Sequence, residues 1–137
     1  MTLRVELEEL LQVAARFGTV PMLLTVDDDG RPRAAAVSVS WDGVHAMVRV
    51  GRRSLHNTTA RSLVSLLWPA PAGERFALLV DGEVVATEPD EAPAGGTGAA
   101  GKGGGGVVVV RATSAILHVV AGSSRPRKRP AGKETEK

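Results

Sequence analysis

Residues 44–69, VHAMVRVGRRSLHNTTARSLVSLLWP, contain two apolar segments separated by a basic and polar one. In the first segment, apolar residues at even positions alternate with His45, Met47 and Arg49, which is the period of a half-buried strand. Ser54 is suited to cap a short helix over residues 55–61, because its hydroxyl accepts a hydrogen bond from a free backbone N–H. The stretch therefore predicts a strand, a short helix and a second strand.

Arginines are concentrated where the first of these strands ends, at Arg49, Arg52 and Arg53. Backbone N–H groups and the helix dipole favour an anion beside a helix N-terminus. His56 and Asn57 add polar groups to the same segment. These residues alone leave two interpretations open, an anion-binding site or a solvated basic turn.

The rest of the chain predicts further strands and one more helix. Apolar residues at helical spacing over residues 3–15, with Thr2 as a cap and Gly18 as a stop, predict an N-terminal helix. Alternation and turn signals predict strands at residues 19–26, 31–41, 44–50, 63–68, 76–80, 84–87 and 107–112, the last extended or completed by 116–120. Asp-Gly pairs predict hairpin turns at residues 27–30, 42–43 and 81–82. We predict a mainly β protein, a small antiparallel barrel with an N-terminal helix and a short internal helix.

Composition excludes several classes of site. The 137 residues include no cysteine, which excludes a disulfide framework, thiolate metal sites and a cysteine nucleophile. No apolar stretch approaches the roughly 20 residues of a membrane span, and no signal-peptide pattern opens the chain. We expect a cytoplasmic protein without a membrane partner.

Charge and glycine content divide the chain. Residues 122–137 carry six basic and two acidic side chains, a net charge of +4, whereas residues 1–121 carry 11 basic and 13 acidic ones, a net charge of −2. We predict a single domain over residues 1–121, with a glycine-rich flexible loop at 89–106, and a disordered basic tail at 122–137. The tail has no aromatic residues, so a solubilising end is favoured over a nucleic-acid contact.

Motifs for other chemistries fail on specific residues. Residues 96–103 nearly match a phosphate-binding loop, but Gly103 stands where a hydroxyl residue must hold Mg²⁺. The three histidines lack metal-ligand spacing, and no serine lies in a nucleophile elbow. Residues 27–29 are interpreted as a turn. We predict no metal site and no catalytic side chain.

The order of these parts resembles the pyridoxamine 5′-phosphate oxidase-like family, the flavin-binding split barrels. The resemblance covers about residues 10–87 and is carried by PMLLTVDDDGRPRAAAVSVSWDG (21–43), by the stretch 44–69 and by FALLVDGEVVAT (76–87). It implies a six-stranded antiparallel split barrel that forms a homodimer and binds FMN at the subunit interface.

The resemblance also implies a set of cofactor-binding residues. It assigns the flavin phosphate to Arg33, after the D-G-x-P turn, and to a cluster after the third strand, and it places the flavin ring near Arg49. Ser38 and Ser54 stand where lysine is common in the family, which weakens the clamp, although the neighbouring arginines can compensate. The predicted cofactor-binding residues are Arg33, Ser38, Arg49, Arg52, Arg53, Ser54 and Asn57.

The implied function is two-electron transfer from reduced FMN to an unidentified small-molecule acceptor. The family also has branches that bind deazaflavin or haem, so a cofactor-poor, deazaflavin-binding or haem-binding dimer that acts as a binding module is the alternative. Pyridoxamine oxidation itself is not expected, because the chain ends soon after the last predicted strand.

Overall fold

Eight β-strands and two α-helices make up the part of the chain that the computed structural model describes, residues 2–91 and 104–121. A 3-10 turn, Leu7–Glu9, precedes the first helix. The strands are β1 (Thr2–Val5), β2 (Met22–Val26), β3 (Pro32–Ala36), β4 (Ser38–Asp42), β5 (His45–Val50), β6 (Leu63–Trp68), β7 (Phe76–Pro89) and β8 (Gly106–Val119). The helices are α1 (Leu10–Ala15) and α2 (Arg52–Ala60).

The strands form one antiparallel sheet in the order β3-β2-β6-β7-β8-β5-β4, and β1 pairs with β8. The β4 end of this order meets the residues that lead into β2, because the N–H of Val37 donates to the Pro21 carbonyl and that of Val39 to the Thr19 carbonyl, each at 3.0 Å. The sheet therefore curls into a split barrel, which confirms the predicted fold class. It has eight strands in place of six, partly because the predicted strand 31–41 divides at Val37 into β3 and β4.

Alternation along the strands separates an inner from an outer face of the sheet. Leu23, Leu66, Val80 and Ala115 are cross-strand neighbours on the inner face, and each is at most 2% exposed. The adjacent row faces outward and is partly exposed. This outer row consists of Ala36, Met22, Leu67, Leu79 and Ile116.

The N-terminal helix is shorter than predicted. Thr2–Val5 form β1, whose register with β8 runs from the Thr2–His118 pair to the Val5–Ala115 pair. Helix α1 begins only at Leu10, so the prediction of a helix capped at Thr2 is wrong. Pairing with β8 satisfies the backbone groups of β1 and overrides the local helical spacing.

The hairpin predicted at residues 81–82 is also absent. Strand β7 continues through this point and pairs with β8, with register irregularities between Asp81 and Gly82 and between Val84 and Ala86. A Cβ atom at Gly82 would lie 2.5 Å from Val110 Cγ1. Glycine is therefore required here by close strand contact and not by a turn.

The predicted loop 89–106 is only partly described. Pro89 ends β7, Gly106 begins β8, and the two residues are partners in the ladder. Residues 92–103, which hold most of the loop and the phosphate-loop-like motif, lie outside the described residues, as does the predicted tail 122–137. No described helix is long and apolar enough to cross a membrane.

Candidate functional site

Helix α2 begins directly after β5 and covers the end of the barrel near β2. Its N-cap is Gly51, and the N–H of Leu55 closes the first turn on the Gly51 carbonyl at 2.9 Å. The prediction that Ser54 caps the helix is therefore wrong. Ser54 lies inside the first turn and is buried, and its carbonyl accepts a hydrogen bond from the Thr58 hydroxyl.

The carboxylate of Asp27 lies at the centre of a polar cluster between β3 and α2. Arg33 Nε donates to Asp27 Oδ2 at 2.5 Å, and Arg53 Nη1 donates to the same oxygen at 3.1 Å. Asn57 Nδ2 donates to Asp27 Oδ1 at 2.9 Å. Three of the seven predicted residues thus converge on one carboxylate.

The amide of Asn57 anchors this cluster to the barrel. Asn57 is 2% exposed, and its Nδ2 also donates to Thr25 Oγ1 at 3.1 Å. Thr25 is itself buried and faces inward from β2. Because buried polar groups need partners, these bonds hold α2 in one position over the barrel end.

Electrostatics and exposure leave the two arginines able to bind an anion. The hydrogen bond from Arg33 is the main cause that lowers the pKa of Asp27, and that from Asn57 is the next. The Asp27 side chain is 13% exposed, whereas those of Arg33 and Arg53 are 44% and 65% exposed. Among the described residues, their remaining guanidinium N–H groups have no hydrogen-bond partner. Such N–H groups suit the oxygens of a phosphate.

The carboxylate of Asp28, in the same turn, contacts α2 and the residue just after it. His56 Nε2 lies 2.8 Å from Asp28 Oδ2, and Arg61 Nη2 lies 3.0 Å from Asp28 Oδ1. The hydrogen bond with His56, followed by that with Arg61, lowers the pKa of Asp28. The turn between β2 and β3 is therefore linked to α2 at two consecutive residues.

Two other predicted residues, Ser38 and Arg49, lie away from this cluster. Ser38 and Arg49 are cross-strand partners on the outer face, because the buried residues Val48 and Val50 beside Arg49 face inward. Arg49 Nη1 donates to both carboxylate oxygens of Asp90, at 2.9 and 2.8 Å.

Arg52 opens α2, and its aliphatic stem packs against Gly104. A Cβ atom at Gly104 would lie 2.9 Å from Arg52 Cδ. No ion pair of Arg52 is present within residues 2–91 and 104–121. Its charge is therefore available at the start of the helix, beside Arg53.

Sequence reasoning missed Asp27, which it treated as part of a turn. The register of the β2–β3 hairpin pairs Thr25 with Arg33, so Asp27 is the diagonal neighbour of Arg33. Diagonal neighbours lie about 7–8 Å apart, within reach of a long side chain. The hairpin register was a usable signal for this ion pair, whereas nothing local indicated the contact with α2.

Two cavities lined by described residues lie away from this cluster. One of about 520 Å³ lies between the segment 4–8 and the segment 113–116 of β8. The other, of about 460 Å³, is lined by Phe17, Phe76 and Leu117, with Arg16 and Glu74 among its other residues. Neither cavity includes a predicted cofactor-binding residue. No three acidic or histidine side chains within the described ranges are grouped to hold a metal ion.

Two mycobacterial proteins are related to this chain in sequence. An uncharacterized protein of Mycobacterium bovis and one of Mycobacterium tuberculosis are each 35% identical to it over 97 residues. The matched region is 61% of this chain and 68% of each relative. No protein-family model matches the chain.

Solved structures share the fold at lower identity. An F420 reductase has 24% identity and a TM-score of 0.56 over 71% of this chain and 88% of its own. A Clostridium acetobutylicum protein related to general stress protein 26, of the pyridoxinephosphate oxidase family, has 12% identity and a TM-score of 0.60 over 84% and 91% of the two chains. HutZ, the haem storage protein from Vibrio cholerae, has 17% identity and a TM-score of 0.58 over 84% and 95%.

At these identities the structural similarity establishes the fold but not the activity. The sequence similarity to the two mycobacterial proteins establishes that this chain is related to them. The chain therefore belongs to the family of these mycobacterial proteins, and its fold is the split barrel of the pyridoxamine 5′-phosphate oxidase-like proteins.

Proposed function

We propose that this protein binds FMN and is a flavin-dependent oxidoreductase, with the flavin phosphate held by Arg33 and Arg53. One observation carries the proposal. Two guanidiniums from β3 and α2 share the Asp27 carboxylate, yet most of their N–H groups have no partner among the described residues. A phosphomonoester supplies several oxygens for those donors, and bidentate arginine contacts to phosphate are strong.

The start of α2 adds to the fit. Arg52 lies next to Arg53 at the first helical position, and the Gly51 N-cap has no side chain to satisfy the free N–H groups of the first turn. Free N–H groups at a helix start favour an anion, and α2 is nine residues long. The donor set therefore fits a phosphate group better than it fits an uncharged ligand.

When bound, FMN would supply two-electron transfer to a small acceptor. The chain's own residues would bind the phosphate and hold the cofactor in one orientation. No side chain is assigned a proton transfer. The nearness of Arg49 to the flavin ring stays a prediction, and its guanidinium is paired with Asp90.

We further propose that the protein is a homodimer, as the family resemblance implies. The outer row is apolar and partly exposed at the centre of the sheet, where Met22, Leu67 and Leu79 are cross-strand neighbours. Apolar patches of this kind on a sheet face are typical of protein contacts. A second copy of the chain would cover this row.

The alternative is a split-barrel binding module that takes a deazaflavin or haem, or holds a cofactor weakly. Two observations favour it. The predicted residues do not gather into one site, since Ser38 and Arg49 lie on the outer face and Ser54 is buried within α2. The fold is also shared with an F420 reductase and with a haem storage protein.

An absorbance spectrum of the purified full chain, before and after FMN is added and desalted away, tests the proposal. We expect flavin bands near about 450 nm that survive desalting. Arg33→Ala should release the flavin, because it removes a charged donor to the phosphate. Arg31→Ala is the matched control, because it makes the same charge change on the same turn, where Arg31 pairs with the exposed Asp29.

A colourless protein that retains no FMN would contradict the proposal. F420 and haem would then be added in the same experiment, and a haem absorbance band or retained F420 would support the alternative. Equal loss of flavin in the Arg31 and Arg33 variants would show that general charge, and not this pair of arginines, holds the ligand.

A further inference from the structure

The Asp27 carboxylate is more deeply placed than either arginine that binds it. We propose that Asp27 is a positioning residue, which orients the Arg33 and Arg53 guanidiniums for a phosphomonoester and so makes the site prefer a phosphorylated ligand over its dephosphorylated form. The inference rests on the proposed phosphate site and specifies what selects the ligand there.

The hydrogen bonds orient the guanidiniums without using up their donors. Asp27 Oδ2 accepts from Arg33 Nε at 2.5 Å and from Arg53 Nη1 at 3.1 Å. Each arginine thus spends one N–H group on the carboxylate, and the others have no hydrogen-bond partner among residues 2–91 and 104–121. Two long, exposed side chains from different elements are thereby restrained at one point.

Further hydrogen bonds fix the side chain and the backbone of Asp27. Its Oδ1 accepts from Asn57 Nδ2 at 2.9 Å, and Asn57 is 2% exposed. The Asp27 N–H donates to the Arg31 carbonyl at 2.8 Å, and the Asp27 carbonyl accepts from the Gly30 N–H at 2.9 Å. With both backbone and side chain restrained, the carboxylate is a fixed reference for the arginines.

A carboxylate beside an anion site also has the opposite effect, because it repels the anion. If repulsion dominates, removing the charge of Asp27 tightens phosphate binding; if positioning dominates, it weakens phosphate binding. Asp27→Asn separates the two, since an amide offers one acceptor oxygen and one NH₂ group. If its NH₂ group faces Asn57, the arginines share a neutral oxygen in place of a charged one; if its NH₂ group faces the arginines, they lose their common acceptor.

Asp28→Asn is the matched control. It makes the same change of charge at the next residue, but Asp28 pairs with His56 and Arg61 and not with the two site arginines. Its effect on ligand affinity therefore measures the loss of a nearby negative charge and of a contact with α2 that does not involve the two site arginines.

The experiment measures dissociation constants of FMN and riboflavin for the full-length wild type and both variants, by quenching of flavin fluorescence. We expect the wild type to prefer FMN. Asp27→Asn should reduce that preference about tenfold or more. Asp28→Asn should leave the preference unchanged or raise it. A preference retained or raised in Asp27→Asn, or an equal loss of both ligands, overturns the inference.

Thermal unfolding of each variant checks that it is folded. If Asp27→Asn does not fold, Asp27→Glu takes its place, because it keeps the charge and displaces the carboxylate by one methylene. The FMN preference should fall in this variant too, and an unchanged preference would overturn the inference. A wild type that binds FMN and riboflavin equally would contradict the phosphate site itself, which is a different result from a failure of Asp27 alone.

Discussion

Asp27 and Asp28 are adjacent carboxylates with separate partners on α2 and β3. Asp27 is bound by Arg33, Arg53 and Asn57, and Asp28 by His56 and by Arg61 just past the helix. The pKa of each carboxyl is lowered, chiefly by hydrogen bonds from Arg33 and from His56. The charged forms of both therefore stabilise the folded state.

This pairing predicts how stability depends on pH. Because folding lowers both pKa values, the stabilisation is fully present above the unfolded pKa of about 3.9 and is lost as the pH falls through the lower folded values. We expect the free energy of unfolding to decrease as the pH falls below about 4. Asp28→Asn should make this acid dependence shallower, as measured by urea unfolding at a series of pH values.

Asp29→Asn is the control for the pH experiment. The Asp29 carboxylate lies 3.9 Å from Arg31 Nε, whereas that of Asp28 lies 2.8 and 3.0 Å from His56 and Arg61, and a long, exposed ion pair contributes little to stability. The free energy of unfolding of Asp29→Asn should depend on pH as that of the wild type does. An Asp28→Asn protein with the wild-type acid dependence would show that the contacts of Asp28 with His56 and Arg61 do not stabilise the fold.

At the scale of elements, the end of β7 and the start of β8 meet beside the start of α2. A Cβ atom at Gly105 would lie 2.4 Å from the Val50 carbonyl oxygen, and one at Gly106 would lie 2.4 Å from the Glu88 carbonyl oxygen. The Asp90 N–H also donates to the Gly105 carbonyl at 2.8 Å. Residues 105 and 106 must therefore be glycine, because a Cβ atom at either position would overlap a backbone carbonyl oxygen.

Gly106→Ala tests this junction. The new methyl group meets backbone atoms of Glu88 and Pro89, which cannot rotate away as a side chain can. We expect a loss of about 1–3 kcal/mol in the free energy of unfolding, the usual cost of overpacking, measured in urea.

Gly51→Ala is the control for Gly106→Ala, since a Cβ atom at Gly51 meets nothing within 4 Å and its φ of −85° suits any residue. Alanine is a poorer N-cap than glycine, so this variant should lose no more than about 1 kcal/mol. If Gly106→Ala were as stable as Gly51→Ala, the close approach of β8 to β7 would be contradicted.

At the scale of the whole molecule, the sheet presents apolar residues on both faces. The inner row that contains Leu66 and Val80 forms the core, and the outer row that contains Leu67 and Leu79 lies one residue away along the same strands. The inner row drives folding of the barrel, whereas the outer row is expected to be covered by another molecule. We assign the outer row to the proposed homodimer.

Leu79→Arg tests the dimer. A charge in the middle of the outer row should prevent association, so light scattering should give the single-chain mass of 14.2 kDa for the variant and twice that mass for the wild type. Circular dichroism should be unchanged, because Leu79 is not part of the buried core. Leu11→Arg, at a 47% exposed position on α1, is the control and should remain dimeric. A wild type with the mass of one chain would contradict the proposal.

Local sequence alone determined the class of the fold and much of its order. Alternating residues predicted β5, an apolar run closed by Pro69 predicted β6, and Asp-Gly pairs predicted the turns that follow β2 and β4, because strand pattern and turn chemistry are encoded within a few neighbouring residues. The helix between β5 and β6 was also predicted, although its first residue, Arg52, lies three positions before the predicted start.

Tertiary contacts decided the rest. Thr2–Val5 pair with β8 against their helical spacing, and Gly82 lies within a strand because β7 pairs with β6 and β8 through this position. The curl of the sheet determines which predicted site residues meet. It brings Arg33 and Arg53 to the Asp27 carboxylate and leaves Arg49 on the outer face. These contacts join residues distant in sequence, and long-range pairing and packing outweigh local preferences of a few tenths of a kcal/mol per residue.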